Sequence, residues 1–198
     1  MPRLRTILGL SALGLCAALG YCVSRPAETI EGTRIESIKA VAERPDLFPG
    51  THPESLPGYG RYIQIDLSAP ARLAEAREGF DGIYPKVELC PPGPPIKVVA
   101  LGPDLPDGRE FPLTPKDIPR ASDGRIHFRL LVVPAHPMPG VKYARPDDRA
   151  PYNLATDARP LCVAIESVGF EFERIRTNRI VIPAGTLTRV LAAPADPD

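Results

Sequence analysis

Past its first two dozen residues, the chain alternates in short apolar and polar runs, each cut by proline or glycine. Ile63, Ile65 and Leu67 alternate with Tyr62, Gln64 and Asp66, the period-2 pattern of a half-buried strand. The strongest run is 125–133, introduced by Asp123-Gly124. There Ile126, Phe128, Leu130 and Val132 share one face, and His127 and Arg129 begin the other. Leu131 and Val133 make its far end apolar on both sides, which predicts a central strand. Further strands are expected over 83–89, where Pro85 suits an edge, and over 96–101. The C-terminal third predicts four more, at 161–166, 168–175, 179–183 and 186–192. Tight turns are expected near Thr177-Asn178 and Ala184-Gly185.

Two stretches carry helical signals instead. Thr33-Arg34-Ile35-Glu36 fits a capping box, with Ile35, Ile38 and Val41 near one face and Pro45 as a stop. Ser68 is placed to cap a second helix over 69–78, closed by Gly79, with Leu73, Ala76 and Phe80 inward. The pattern therefore predicts an all-β, mainly antiparallel sandwich with one or two short helices, folded from residues 60–193. Residues 24–59 read as a linker with a short helix, and 194–198 as a disordered tail. An immunoglobulin-like topology is compatible with cysteines at two strand ends. The lack of tryptophan, and Pro160 two residues before the second cysteine, oppose a true immunoglobulin domain.

Composition sharpens this picture at one point. The chain has 26 prolines, and proline disrupts helix interiors and central strands alike, so short strands on stiff loops are favoured. Pro91-Pro92-Gly93-Pro94-Pro95 must be such an exposed connection. Charge gives no support to a nucleic-acid partner: 24 basic residues balance 24 acidic ones, whereas a nucleic-acid binder usually carries a basic excess.

The N-terminus gives the compartment. Arg3 and Arg5 precede an uncharged run from Ile7, which reaches 17 residues if extended to Val23. Residues 1–23 thus have the layout of a signal peptide or membrane anchor. Three fates stay open. Ala18 and Gly20 suit cleavage before Tyr21. Leu19-Gly20-Tyr21-Cys22 approaches a lipoprotein signal that would acylate Cys22, although Tyr21 departs from the small residue expected there. The uncleaved segment would be an anchor with its arginines inside. The expectation is an exported protein, in the periplasm or on the periplasmic face of a bacterial membrane. With Cys16 and Cys22 in the leader, Cys90 and Cys162 remain as a pair, which in an exported domain reads as a disulfide.

Candidate chemistry is sparse. No nucleophile elbow, zinc-protease motif, phosphate loop or dinucleotide fingerprint occurs, so no catalytic residue, metal ligand or cofactor is assigned. His52, His127 and His136 match no zinc spacing and read as ordinary histidines. The segment 134–159 is long, polar and aperiodic, and it carries Tyr143, Asp147, Asp148, Tyr152 and Asn153. Tyrosines among polar residues on a long excursion suit a partner-binding loop. Glu171 and Glu173 alternate with Phe170 and Phe172 and read as solvated. Arg174, Arg176, Arg179 and Arg189 read as a charged strand edge, or as a contact for anionic headgroups or glycans.

The function expected is that of a non-enzymatic binding or structural β-domain at an envelope. It would touch the membrane through its leader, and its partner would be another envelope protein. Two alternatives remain: a hydrolase with scattered residues, with His127 and Asp123 or Glu171 and Glu173 as the pairs to test, and an inhibitor or immunity-type protein acting through 134–159.

Overall fold

The computed structural model describes residues 28–49, 51–75, 80–112, 117–137, 150–169 and 174–195. The apolar leader with Cys16 and Cys22 lies outside the described residues, as do Tyr143, Asp147, Asp148, Glu171 and Glu173. With 46% of the chain in strands and 13% helical, it is mostly β, with several sheets and two helices.

The first sheet is built around β10 (Leu161–Gly169). On one side β10 pairs with β4 (Phe80–Leu89), whose far end carries the two-residue β5 (Ile96–Lys97). On the other side lie β11 (Arg174–Thr177) and β12 (Ile180–Ile182), end to end, with β1 (Glu28–Ile30) parallel to β11. The second sheet runs in the order β2 (Arg34–Ala42), β3 (Arg61–Pro70), β7 (Arg125–Val132), β6 (Ala100–Asp104) and is antiparallel throughout. A two-stranded ribbon joins β8 (Ala135–His136) to β9 (Tyr152–Asn153).

Alternation determines where the core sits. Ile63, Ile65 and Leu67 of β3 and Ile126, Phe128, Leu130 and Val132 of β7 are all buried in one apolar cluster. Val87, Leu89, Leu161, Val163 and Ile165 of the first sheet belong to the same cluster, so one core draws on both sheets. Each such side chain contributes about 1.5–3 kcal/mol by leaving water. The opposite face of the second sheet is apolar only at one end. There Val41, Tyr62, Leu131 and Val133 meet Leu47 of a short 3-10 turn (Pro45–Leu47). Leu131 and Val133 are thus the two-sided apolar end expected for a central strand.

Several expected elements differ. The capping-box segment is not a helix but the strand β2, and residues 28–42, expected in a linker, supply two strands of the sheets. The cause is a β-bulge. Ile35 stands opposite Leu67 and Ser37 opposite Asp66, so Glu36 is an extra residue. That insertion brings Ile35 and Ile38 to one face at a spacing of three, which reads as helical. The helix expected over 69–78 shrinks to α1 (Arg72–Glu75) within the described residues, because Ala69 and Pro70 still pair with Ile126 and Arg125. Thr177-Asn178 is no hairpin turn, since β11 and β12 lie along the same edge of β10. The strand expected at 186–192 is the helix α2 (Ala184–Ala192), with Leu187, Val190 and Leu191 against the core at helical spacing. The apolar run 96–101 is divided between the sheets, its start in β5 and its end in β6. Pro85 pairs only with Ile165 of β10, because β5 reaches no further than Glu88. Its missing N–H therefore costs β4 no bond on that side.

Candidate functional site

The outer face of the second sheet is polar where its inner face is core. Its cross-strand rows run Ser68–His127, and Ser37–Asp66–Arg129–Asp104. The bulge aims Glu36 onto this face, where its carboxylate accepts hydrogen bonds from the Ser68 hydroxyl and from Arg34 Nε at 2.9 Å. These two bonds, Ser68's first, hold Glu36 below the usual carboxylate range. Asp66 accepts from Ser37 Oγ and from Gln64 Nε2 at 2.9 Å. Arg125 Nε donates to Ser68 Oγ at 2.9 Å, and Arg125 Nη2 donates to the Gly32 carbonyl at 2.5 Å.

Ser68 is 0% exposed. Its hydroxyl donates to Glu36 and accepts from Arg125, so it stands beside His127 without acting as a free nucleophile. His127 Nε2 is sealed from solvent with no hydrogen bond, 3.8 Å from Asp123 Oδ1. The pair singled out in the sequence is therefore brought together, beyond hydrogen-bond range.

Arg129 is 5% exposed in the middle of β7. Its Nη2 donates to the Leu47 carbonyl at 3.3 Å, and Asp104 faces it across the strand pair. Burial raises the Asp104 carboxyl; Arg129 opposes that and Glu110 adds to it. Gly108 lies over the guanidinium at φ +86°, and a Cβ there would fall 2.7 Å from Arg129 Nη2 and 3.0 Å from the Asp46 carbonyl. Arg129 thus ties Leu47 of the 3-10 turn to the sheet, and the 105–109 turn packs closely over its guanidinium. Beside this cluster, between that turn and residues 119–121, lies a cleft of about 400 Å3 that reaches His127.

The outer face of the first sheet is the second candidate. A groove of about 340 Å3 opens over Ala164, where β11 gives way to β12, and an adjoining one of about 340 Å3 shares Lys86, Glu88 and Glu166 with it. Charges alternate across it: Lys86 Nζ lies 3.1 Å from Glu166 and Arg179 Nη2 lies 2.8 Å from Glu88. Tyr84 and Val181, each 55% exposed, belong to the same face. Arg176 and Arg179 therefore lie among acidic neighbours on this face, with Arg179 beside β12, which pairs only with β10 among the described strands.

Cys90 and Cys162 are bonded, with Cα atoms 5.3 Å apart, and both are buried. The bridge joins the end of β4 to its neighbour β10 inside one sheet, unlike the inter-sheet bridge of immunoglobulin domains. Of the loop residues, Tyr152 is 6% exposed: its hydroxyl donates to the Val133 carbonyl at 3.3 Å and accepts from Val99 N–H at 3.0 Å. It anchors the segment to the core and does not offer itself to a partner. Asn153 is exposed, and its Oδ1 accepts from Ala155 N–H at 3.0 Å. His52 is an exposed residue 3.3 Å from Glu54, and His136 is buried in β8 against Tyr152. Among the described residues no three His, Cys, Asp or Glu side chains form a metal-holding group, and no helix is long and apolar enough to cross a membrane.

Sequence reading missed Glu36, Ser68, Asp104 and Arg129 as a set. The available signal was Arg129 itself, a charge flanked by Phe128, Leu130 and Leu131 in the most apolar strand. No protein-family model matches the chain, and no curated protein or solved structure matches it.

Proposed function

We propose that the chain is an exported envelope protein whose two sheets form a sandwich, and that it works as a non-enzymatic binding or structural module. The observation that carries this reading is the Cys90–Cys162 disulfide, buried within the first sheet. Such bonds persist in oxidising compartments and are reduced in the cytosol. The charged leader and apolar run supply the route, and deliver the domain to the periplasm or the periplasmic face of the membrane. A binding role is favoured over hydrolysis because Ser68 is committed to Glu36 and Arg125. The partner is another envelope protein. It is met through the open face that carries Tyr84 and Val181, or through the 134–159 segment with Tyr143, Asp147, Asp148 and Asn153.

The test is to recover the protein from its native envelope and block thiols before and after reduction, reading the intact mass each time. Cys90 and Cys162 should alkylate only after reduction, in the envelope fraction. The same mass distinguishes acylation at Cys22, simple loss of the leader, and a retained anchor. A cytosolic chain with both thiols free would overturn the proposal.

A further inference from the structure

The groove over Ala164 is made by a break in the sheet beside β10. Leu161, Val163 and Ile165 of that strand point into the core, which turns the alternate Ala164 and Glu166 outward. Next to Ala164 the neighbouring chain passes from β11 to β12, and side chains close the interval. Thr177 Oγ1 accepts the Ile165 N–H at 3.0 Å and donates to the Asn178 carbonyl at 3.2 Å. The Asn178 amide is held at both ends by the Thr33 backbone. Floor and wall are thus fixed before anything binds, which lowers the ordering cost of a ligand.

The charges that line the groove cancel: Lys86, Arg176 and Arg179 stand against Glu31, Glu88 and Glu166. Two pairs are already made, Lys86 with Glu166 at 3.1 Å and Arg179 with Glu88 at 2.8 Å. Arg176 and Glu31 remain, one of each sign. Arg176 bonds only through Nε, to Thr29 Oγ1 at 3.4 Å, and its cross-strand neighbour Glu166 is the acid that Lys86 holds. Neither its terminal nitrogens nor the Thr29 hydroxyl donates to any group among the described residues. Glu31 is exposed and engages no group among them either. Thr29 faces Arg176 in the parallel pairing of β1 with β11, and Glu31 follows two residues on, so anion donors and a cation acceptor share one wall. A singly charged ligand would satisfy one of these groups and leave the other unmatched. A zwitterion satisfies both and adds no net charge.

We propose that this groove binds a free α-amino acid with a compact apolar side chain. The carboxylate meets the guanidinium fork of Arg176 and the Thr29 hydroxyl, and the ammonium meets Glu31. The side chain lies over Ala164, whose methyl leaves the space open, with the aliphatic stem of Lys86 beside it in register. The volume of about 340 Å3 admits a ligand of this size. The site goes beyond the envelope reading and does not rest on it, because neither the leader nor a protein partner takes part.

The test uses the full-length chain and three probes that share one side chain. These are L-norvaline, N-acetyl-L-norvaline, which lacks the cation, and L-norvalinamide, which lacks the anion. Binding is followed near neutral pH by backbone amide NMR. Norvaline should saturate, shift the signals of Thr29, Glu31, Ala164 and Arg176, and bind about tenfold more tightly than either derivative. Arg176→Met should remove its advantage over the amide, and Glu31→Gln its advantage over the acetyl derivative. Ala164→Leu should fill the groove and abolish norvaline binding while the spectrum stays that of the folded protein. Equal binding of all three probes, shifts confined to other residues, or no saturation would overturn the proposal. So would norvaline binding that survives Ala164→Leu in a folded protein; if that variant unfolds, the Arg176→Met and Glu31→Gln preferences decide.

Discussion

Glu36 occupies the extra position of the bulge in β2, and one inserted residue both reverses the local reading of the sequence and creates a polar contact. Its carboxylate is held below its ordinary range by Ser68 and Arg34, so the folded state binds that proton more weakly than the unfolded chain does. A depressed acid contributes stability that is present above the unfolded Glu value, about 4.3, and is lost as pH falls through the folded one. Asp107 and Asp157, lowered mainly by hydrogen bonds from Arg109 and Arg159, act in the same direction. Asp104 has the opposite sign. Burial raises it, so its contribution favours the folded state at low pH and fades as pH rises through the folded value. Replacing Glu36 with Gln should therefore lower the melting temperature at neutral pH, and the gap from the wild type should close as the scan passes below about pH 4. A gap that stays constant across the scan would mean that Glu36 acts through shape rather than charge.

At the level of elements, α2 provides the sharpest discrimination. Thr186, Leu187, Thr188 and Val190 suggest a strand by composition, and Ala184-Gly185 suggests the turn before it. The same residues place Leu187, Val190 and Leu191 on one helical face, and the core accepts them there. Gly185 lies in the first turn of the helix with open space around its Cβ position. Gly185→Ala should therefore stabilise the protein by about 0.5 kcal/mol, read from the urea midpoint. Were Gly185 a hairpin turn residue with positive φ, the same change would destabilise it. Strands with one clean dry face, β3 and β7, were legible because burial imposes period 2 on them. The bulge in β2 was not, since the residue it inserts breaks that period. The interruption between β11 and β12 was hidden for another reason: it is closed by side chains. Thr177 Oγ1 accepts the Ile165 N–H at 3.0 Å. The Asn178 amide takes Thr33 N–H at 2.8 Å and donates to the Thr33 carbonyl at 3.1 Å. Such partners lie 145 residues apart for Asn178 and Thr33, and no local pattern announces them. The candidate site was illegible on the same grounds. Glu36, Ser68 and His127 meet only through strand register, whereas the cysteine pair was readable from the number of cysteines left once the leader and its expected export were taken into account.

Over the whole molecule, the disulfide links two strands that already adjoin, yet it closes a loop with a sequence separation of 72. That loop contains β5, β6, β7 and the ribbon of β8 and β9, so both sheets depend on what it encloses. Backbone pairing runs right up to the bond: Leu161 faces Leu89, and Cys90 N–H donates to the Pro160 carbonyl at 2.8 Å. In the chain-entropy model its effect falls on the unfolded chain, whose freedom it restricts. In the chain-entropy picture a loop of this length contributes about 4 kcal/mol, a large part of the roughly 5–15 kcal/mol typical of a domain. The double substitution Cys90→Ser with Cys162→Ser should lower stability by about that amount and leave the far-ultraviolet circular dichroism of the folded state unchanged. The denaturant slope should rise at the same time, because the uncrosslinked chain exposes more surface when it unfolds. A fall in midpoint with no change in slope would assign the stabilisation to native packing around Cys90 and Cys162. Loss of the native spectrum would show that the first sheet cannot hold the β4–β10 pairing without its bridge.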